Sequence, residues 1–141
     1  MKKILLYSLV ICLFISCKKD KDNNCTLSMS AAAGTYRITA VKYKQTPTSA
    51  EQDYYNVLFT DACEKDDTYN FNANGTYIFT DAGVKCAPPG DFTGTWSLSG
   101  NTITIDTESG NVDLFNCSSI VVSVSSVNVP GDKVTYTLTR L

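Results

Sequence analysis

The sequence predicts an all-β domain: an antiparallel meander of about eight short strands, closed as a barrel or paired as a sandwich. Two observations lead there. Apolar and polar side chains alternate over short runs, and turns rich in Asn and Gly separate those runs. A third agrees with a small exported β domain: cysteines lie far apart along the chain, and no histidine is present.

The alternation can be followed in order. Tyr36, Ile38 and Ala40 alternate with Thr35, Arg37 and Thr39. Tyr69 and Phe71 come next, then Tyr77 and Phe79, with Ile78 interrupting the polar phase. Trp96 and Leu98, Ile103 and Ile105, and Val112 and Leu114 continue the pattern. Ile120, Val122 and Val124 precede a last strand of Val134, Tyr136 and Leu138. Successive side chains of a strand point to opposite faces, so each run offers one face to a core.

The turns are chemically explicit. Asn72-Ala73-Asn74-Gly75, Ser99-Gly100-Asn101 and Pro130-Gly131-Asp132 fall between runs. Asn and Gly accept the positive φ angles of tight hairpins. Short turns make sequential strands antiparallel neighbours. Residues 50–58 lack alternation and leave room for a short helix or a long loop. An immunoglobulin-type sandwich is disfavoured, because Cys86, Trp96 and Cys117 lie too close together for its spread cysteine pair.

The order of these pieces resembles the lipocalin-like domain of small bacterial lipoproteins. The resemblance rests on Gly34-Thr35-Tyr36, Cys63-Glu64-Lys65-Asp66-Asp67 and Tyr69 through Tyr77. It continues with Cys86, Gly94 through Asn101, and the terminal strand, and covers roughly residues 30–141. It implies an up-and-down barrel of about eight strands, and no particular ligand. Tyr36 stands where better-known lipocalins carry Trp. In such a barrel the first and last strands are neighbours, which places Tyr36 beside Arg140 at the closed end.

Upstream of the domain the chain reads as an export signal. Lys2 and Lys3 precede an apolar run from Ile4 to Phe14. That run is shorter than the roughly 20 residues a bilayer span needs, but it suits a signal-peptide core. Phe14-Ile15-Ser16-Cys17 resembles a bacterial lipobox, with Phe14 where Leu is usual. The expected division is residues 1–16 as signal peptide, 17–29 as lipidated Cys17 and polar tether, and 30–141 as the barrel domain. Acyl chains on Cys17 would hold the protein at a membrane. Lys18 stands where the enteric sorting pattern has Asp for inner-membrane retention, so the outer membrane of the cell envelope is expected, with the leaflet open.

Loss of Lys2 and Lys3 with the leader leaves 10 basic residues against 14 acidic ones, a formal charge of −4. Nucleic acid is not an expected partner, since phosphate binding needs a clustered basic face. After cleavage Cys25, Cys63, Cys86 and Cys117 remain beside Cys17. An even number in an oxidising compartment reads as two disulfides. Cys63–Cys86 with Cys25–Cys117 is the preferred pairing of the three possible. A zinc site is disfavoured, since there is neither a Cys-x-x-Cys pair nor a histidine.

Catalytic chemistry is thinly provided. The lack of histidine excludes His-based triads, and oxidised cysteines supply no thiolate. Asp61 with Glu64 and Asp66 with Asp67 are the remaining carboxylate pairs. A solvated loop beside a disulfide explains them better than glycoside hydrolysis or calcium binding. No catalytic residue, metal or cofactor is expected. The expected role is a monomeric, membrane-anchored barrel binding a small apolar ligand at its open end, with Tyr54, Tyr55 and Tyr77 as contacts. The alternative is an envelope interaction protein, an accessory subunit or inhibitor, with a filled barrel.

Overall fold

A computed structural model describes residues 25–141. The leader, Cys17 and the chain as far as Asn24 lie outside the described residues. The chain runs through α1 (Met29–Ala32), β1 (Gly34–Lys44), β2 (Gln52–Asp53), α2 (Tyr55–Leu58) and a 3-10 turn at Ala62–Glu64. Then follow β3 (Thr68–Phe71), β4 (Thr76–Thr80), β5 (Phe92–Ser99) and β6 (Thr102–Ile105). The last three are β7 (Glu108–Phe115), β8 (Ser119–Ser125) and β9 (Lys133–Arg140).

All pairings are antiparallel, in the order β2-β1-β3-β4-β5-β6-β7-β8-β9, and β1 also pairs with β9. That last contact closes the sheet into the expected up-and-down barrel. β2 is a two-residue flap on the far half of β1, where Lys42 and Tyr43 face Asp53 and Gln52. The expected helix near 50–58 is the single turn α2.

Two bulges revise the inward phase. The β1–β9 register shifts between Ile38 and Ala40, and the β7–β8 register between Val112 and Leu114. One extra residue reverses which face later side chains take. Val41 therefore turns inward in place of the expected Ala40, and Leu114 is exposed while Phe115 packs on the core. Bulges also bend a strand, which helps a small sheet to close. Of the two two-residue hairpins, Gly100-Asn101 uses a glycine and Asp106-Thr107 does not; Asp106 itself takes the left-handed conformation (φ 52°) that Asp tolerates.

Both disulfides of the preferred pairing are present. Cys25–Cys117 ties the entry of the domain to the β7–β8 turn, and Cys63–Cys86 joins the long β1–β3 connection to the β4–β5 loop. Residues 25–29 consequently do not serve as tether. Cys25 is bonded, and Leu27 and Met29 pack against the core.

The two ends of the barrel differ. At one end meet α1, the start of β1, the β3–β4 turn, the β7–β8 turn and the end of β9. At the other stand the long loops: residues 45–67, residues 81–91 and residues 126–132. The first end is plugged and the second is the mouth.

Candidate functional site

The plugged end is built around Arg140. Its partner across the β1–β9 seam is Tyr36. The guanidinium carbon lies 5.1 Å from the Tyr36 ring centroid. Nε and Nη2 donate to Tyr36 Oη at 3.0 and 2.6 Å, and Nη2 also donates to the carbonyls of Ala31 and Ala33 at 2.6 and 3.0 Å. Tyr36 Oη donates in turn to the Ala32 carbonyl at 2.9 Å. One cation thus collects the backbone oxygens around α1 and welds that helix over the barrel. Trp96 adds a second closure by donating from Nε1 to the Asn72 carbonyl at 2.8 Å.

Opposite this plug, a cavity of about 520 Å³ opens toward the mouth. Its walls are aliphatic, chiefly Ile103, Ile105, Ile120, Val122 and Leu138, with Phe71 on one side. Ser125, Ser126 and Val127 of the β8–β9 region and Glu108 of β7 mark its rim. Gly110 of β7 lies on the lining beside β8. A Cβ there would meet Val122 Cγ1 at 2.6 Å, the Ser123 carbonyl oxygen at 3.1 Å and Val124 Cγ2 at 3.2 Å, so the glycine lets the two cavity-lining valines pack against β7.

A closed antiparallel barrel plugged at one end and hollow at the other is a recurrent ligand-binding architecture. The lipocalin-like domain family matches residues 32–123. The chain belongs to that family. No curated protein matches it.

In this lipocalin-like barrel the aromatic residues named as contacts do not line the cavity. Tyr77 is buried in the wall. Its ring crosses Gly94 on β5, where no Cβ intervenes, and its hydroxyl donates to Asp106 Oδ2 at 2.7 Å. Asp106 also accepts the Thr95 N–H at 2.9 Å. That backbone bond first, and the Tyr77 hydroxyl second, hold the Asp106 carboxyl below its ordinary range. Burial, with Asp106 beside it, raises the Tyr77 phenol. Tyr54 and Tyr55 are not among the residues lining the cavity. Tyr54 packs on Tyr43 with centroids 5.1 Å apart, and Tyr55 on Phe59 at 5.2 Å. Tyr43 pairs with Val134 and its hydroxyl donates to Asp132 of the β8–β9 loop, so Tyr54 stands beside the mouth end of β1.

The tyrosines that do line the cavity are Tyr69 on β3 and Tyr136 on β9. They flank β1 from its two sides, with Ile38 on the cavity wall between them. Burial, with Asp67 and the neighbouring Tyr136 contributing, pushes the Tyr69 phenol up to about 12. Burial also raises that of Tyr136. The inward phase of these two residues is visible in the sequence, but it marks core as readily as cavity. Nothing in the alternation itself separates them from Tyr77.

The acidic residues near the mouth are occupied with loop structure. Glu64 accepts the Asp61 N–H at 3.0 Å, Asp66 accepts the Val84 N–H at 2.8 Å, and Asp67 accepts the Ala82 N–H at 3.3 Å. Asp81 accepts the Cys86 N–H beside the Cys63–Cys86 disulfide. Asp132 is 1% exposed and accepts N–H groups from Val127, Asn128 and Val129. Burial opposes its ionisation, but those backbone donors outweigh it and its carboxyl lies low. Among the described residues no group of three or more acidic or cysteine side chains is placed to hold a metal ion.

Proposed function

We propose that this lipocalin-like protein is a lipid-anchored binding barrel of the bacterial cell envelope that takes a small apolar ligand through its mouth and catalyses nothing. The observation that carries the reading is the aliphatic cavity of about 520 Å³ at the end opposite the Arg140 plug. Small-molecule sites commonly have this volume and this apolar lining. The carboxylates that could act as acid and base instead cap and fold the mouth loops.

The anchor follows from the leader and from Cys17 in the lipobox-like Phe14-Ile15-Ser16-Cys17. Cys17 precedes Cys25 by only eight positions. Such a stretch reaches about 30 Å at most. Because Cys25 is bonded to Cys117 beside the plug, a lipid on Cys17 draws the plugged end toward the membrane and leaves the mouth facing away. Lys18 favours the outer membrane by the sorting pattern.

Native mass spectrometry of the mature chain tests the binding reading. A bound small molecule that disappears in Val124→Trp, which fills the cavity, supports it; a wild type that carries nothing and takes up no apolar probe overturns it. Labelling with a fatty-acid analogue should tag the wild type and spare Cys17→Ala. A second reading, an envelope interaction partner, draws on exposed Val57, Leu58, Val84, Phe92, Val127 and Val129 at or near the mouth. Co-purification of a protein partner with an empty barrel would favour it.

A further inference from the structure

The cavity does more than offer apolar volume. Among the described residues the only charged one lining it is Glu108, exposed at the rim, and none is Lys or Arg. An anionic head group brought inside would lose its hydration, meet no cation and face Glu108. A buried unpaired charge is strongly disfavoured. The carboxylate of a free fatty acid therefore fits this interior poorly.

Besides Ser109, Ser125 and Ser126 on the β7 and β8 side, where the Ser109 and Ser126 hydroxyls are already hydrogen-bonded, the polar lining residues are Tyr69 and Tyr136. Among the described residues neither has a hydrogen-bond partner, whereas the hydroxyls of Tyr36 and Tyr77 are each engaged. A phenol is both donor and acceptor, and one facing an apolar cavity gains by meeting a complementary atom. A phenol is protonated at neutral pH, and burial raises both hydroxyls further, so they present O–H donors. The pair lies across β1, with Ile38 between and Leu138 and Ile120 nearby on the wall. An aliphatic pocket with two phenol donors at its tyrosine side matches a molecule with an apolar body and one acceptor oxygen.

Resting on the binding reading above, we propose that the cavity selects an uncharged ligand, of the ketone, ester or ether class, whose acceptor oxygen is met by the hydroxyls of Tyr69 and Tyr136. Exclusion of anions is part of the same selectivity and follows from the missing cation. Glu108 at the rim reinforces it.

The test uses the full mature chain made without lipid (Cys17→Ser), which keeps every described residue. Three fluorescent probes are titrated: neutral N-phenyl-1-naphthylamine, its sulfonated anion 8-anilinonaphthalene-1-sulfonate, and the neutral ketone 6-propionyl-2-dimethylaminonaphthalene. The emission of the ketone shifts to the red when its oxygen accepts a hydrogen bond. We expect both neutral probes to bind, with Val124→Trp abolishing binding, and the sulfonate to bind at least tenfold more weakly than its parent, a difference of about 1.4 kcal/mol. In Tyr69→Phe/Tyr136→Phe the ketone should lose roughly three- to tenfold in affinity, the loss expected for a hydrogen bond, and its bound emission should move to the blue. The naphthylamine, which has no acceptor oxygen, should change less than about twofold in that variant. Phe keeps the ring, and an unchanged circular dichroism spectrum and melting temperature report that the variant is folded. Equal affinity for the naphthylamine and its sulfonate overturns the charge selection. Ketone binding and emission unaffected by the double variant overturn the tyrosine contact. Failure of all three probes overturns the binding reading itself, which is a different result from either.

Discussion

The two halves of the barrel wall are packed on different principles. From β3 to β5 the inward face is a run of rings in mutual contact that ends on half-exposed Phe92 at the mouth: Tyr69 on Phe79, Phe79 on Phe92, Phe92 on Tyr77, Tyr77 on Phe71 and Phe71 on Trp96. From β6 to β9 the inward residues are mostly Ile, Val and Leu, with Gly110, Phe115 and Tyr136 among them, and these strands provide most of the cavity wall. Flat rings fill a small barrel when they can tile edge to face. Branched aliphatics of similar length around a cylinder leave its middle empty unless one side chain reaches across. Tyr69, Phe71 and Tyr136 stand in the cavity wall without closing it, and Tyr77 is drawn across Gly94 to Asp106.

The sharpest way to break that contrast is to truncate one residue in each half. Trp96 is buried, packs on Phe71 and supplies a hydrogen bond to Asn72. Trp96→Ala should cost about 3–5 kcal/mol, the usual range for a large aromatic in a filled core. Val124 lines the hollow half. Its methyls already lack partners on the cavity side, so Val124→Ala should cost less than about 1 kcal/mol. Urea denaturation of both variants measures the difference. Comparable losses would mean that the hollow half is packed after all.

Arg140 joins the halves at the plug, because β9 belongs to the hollow side and α1 lies over the closed end. Arg140→Ala removes the donors to Ala31, Ala33 and Tyr36 together. Hydrogen bonds from a charged donor are individually worth more than neutral ones, so a loss of roughly 2–4 kcal/mol is expected. Arg140→Lys should recover only part of it, since a point charge lacks the planar fork that serves several oxygens at once. The denaturation midpoint reads both. Full recovery by Lys would reduce the plug to a charge effect.

The strands and the closure are legible in the sequence because both depend on local pattern and on order. Period-two alternation locates Tyr69, Phe71, Trp96, Ile103, Ile120 and Leu138 on the inward face, where the structure has them. An up-and-down meander brings β1 to β9 and so Tyr36 to Arg140. The bulges are not legible, since neither Thr39 nor Asp113 carries a Gly or Pro to mark an extra residue. The cavity is not legible for a deeper reason. Where the Tyr77 ring lies depends on Asp106, 29 positions away, and on the absent Cβ of Gly94. That Tyr54 packs on Tyr43 and Tyr55 on Phe59, and that neither lines the cavity, is likewise set by the β2 flap and α2 and not by any alternation. Alternation specifies which face a side chain takes; it does not specify which neighbour the ring leans toward.

The smallest effect lies in the pH response, where the two sets of tyrosines should part company. An unfolded tyrosine titrates near 10. A folded value above that means the native state holds its proton longer, so the associated stability is intact below about pH 10 and is lost as pH rises through the folded value. For Tyr69 that window runs from about 10 to about 12. Tyr136 is raised in the same direction by burial alone. Tyr77 is raised by burial and by a carboxylate partner, and Asp106, held low by Thr95 and Tyr77, has the opposite sign. The stability Asp106 contributes is present above about pH 4 and is lost as pH falls through its lowered folded value. Between these limits the cavity lining should not change state. The chain contains no histidine, and the Tyr69 proton stays on to about 12. Affinity for the neutral ketone should therefore be flat from about pH 6 to 9, the range a histidine would otherwise control. Absorbance at the tyrosinate band should show a set of phenols ionising only on alkaline unfolding, smaller by one in Tyr69→Phe. A midpoint in ketone affinity inside the neutral range would show that a titrating group takes part in binding, and the cavity could then no longer be described as an apolar wall with two phenol donors.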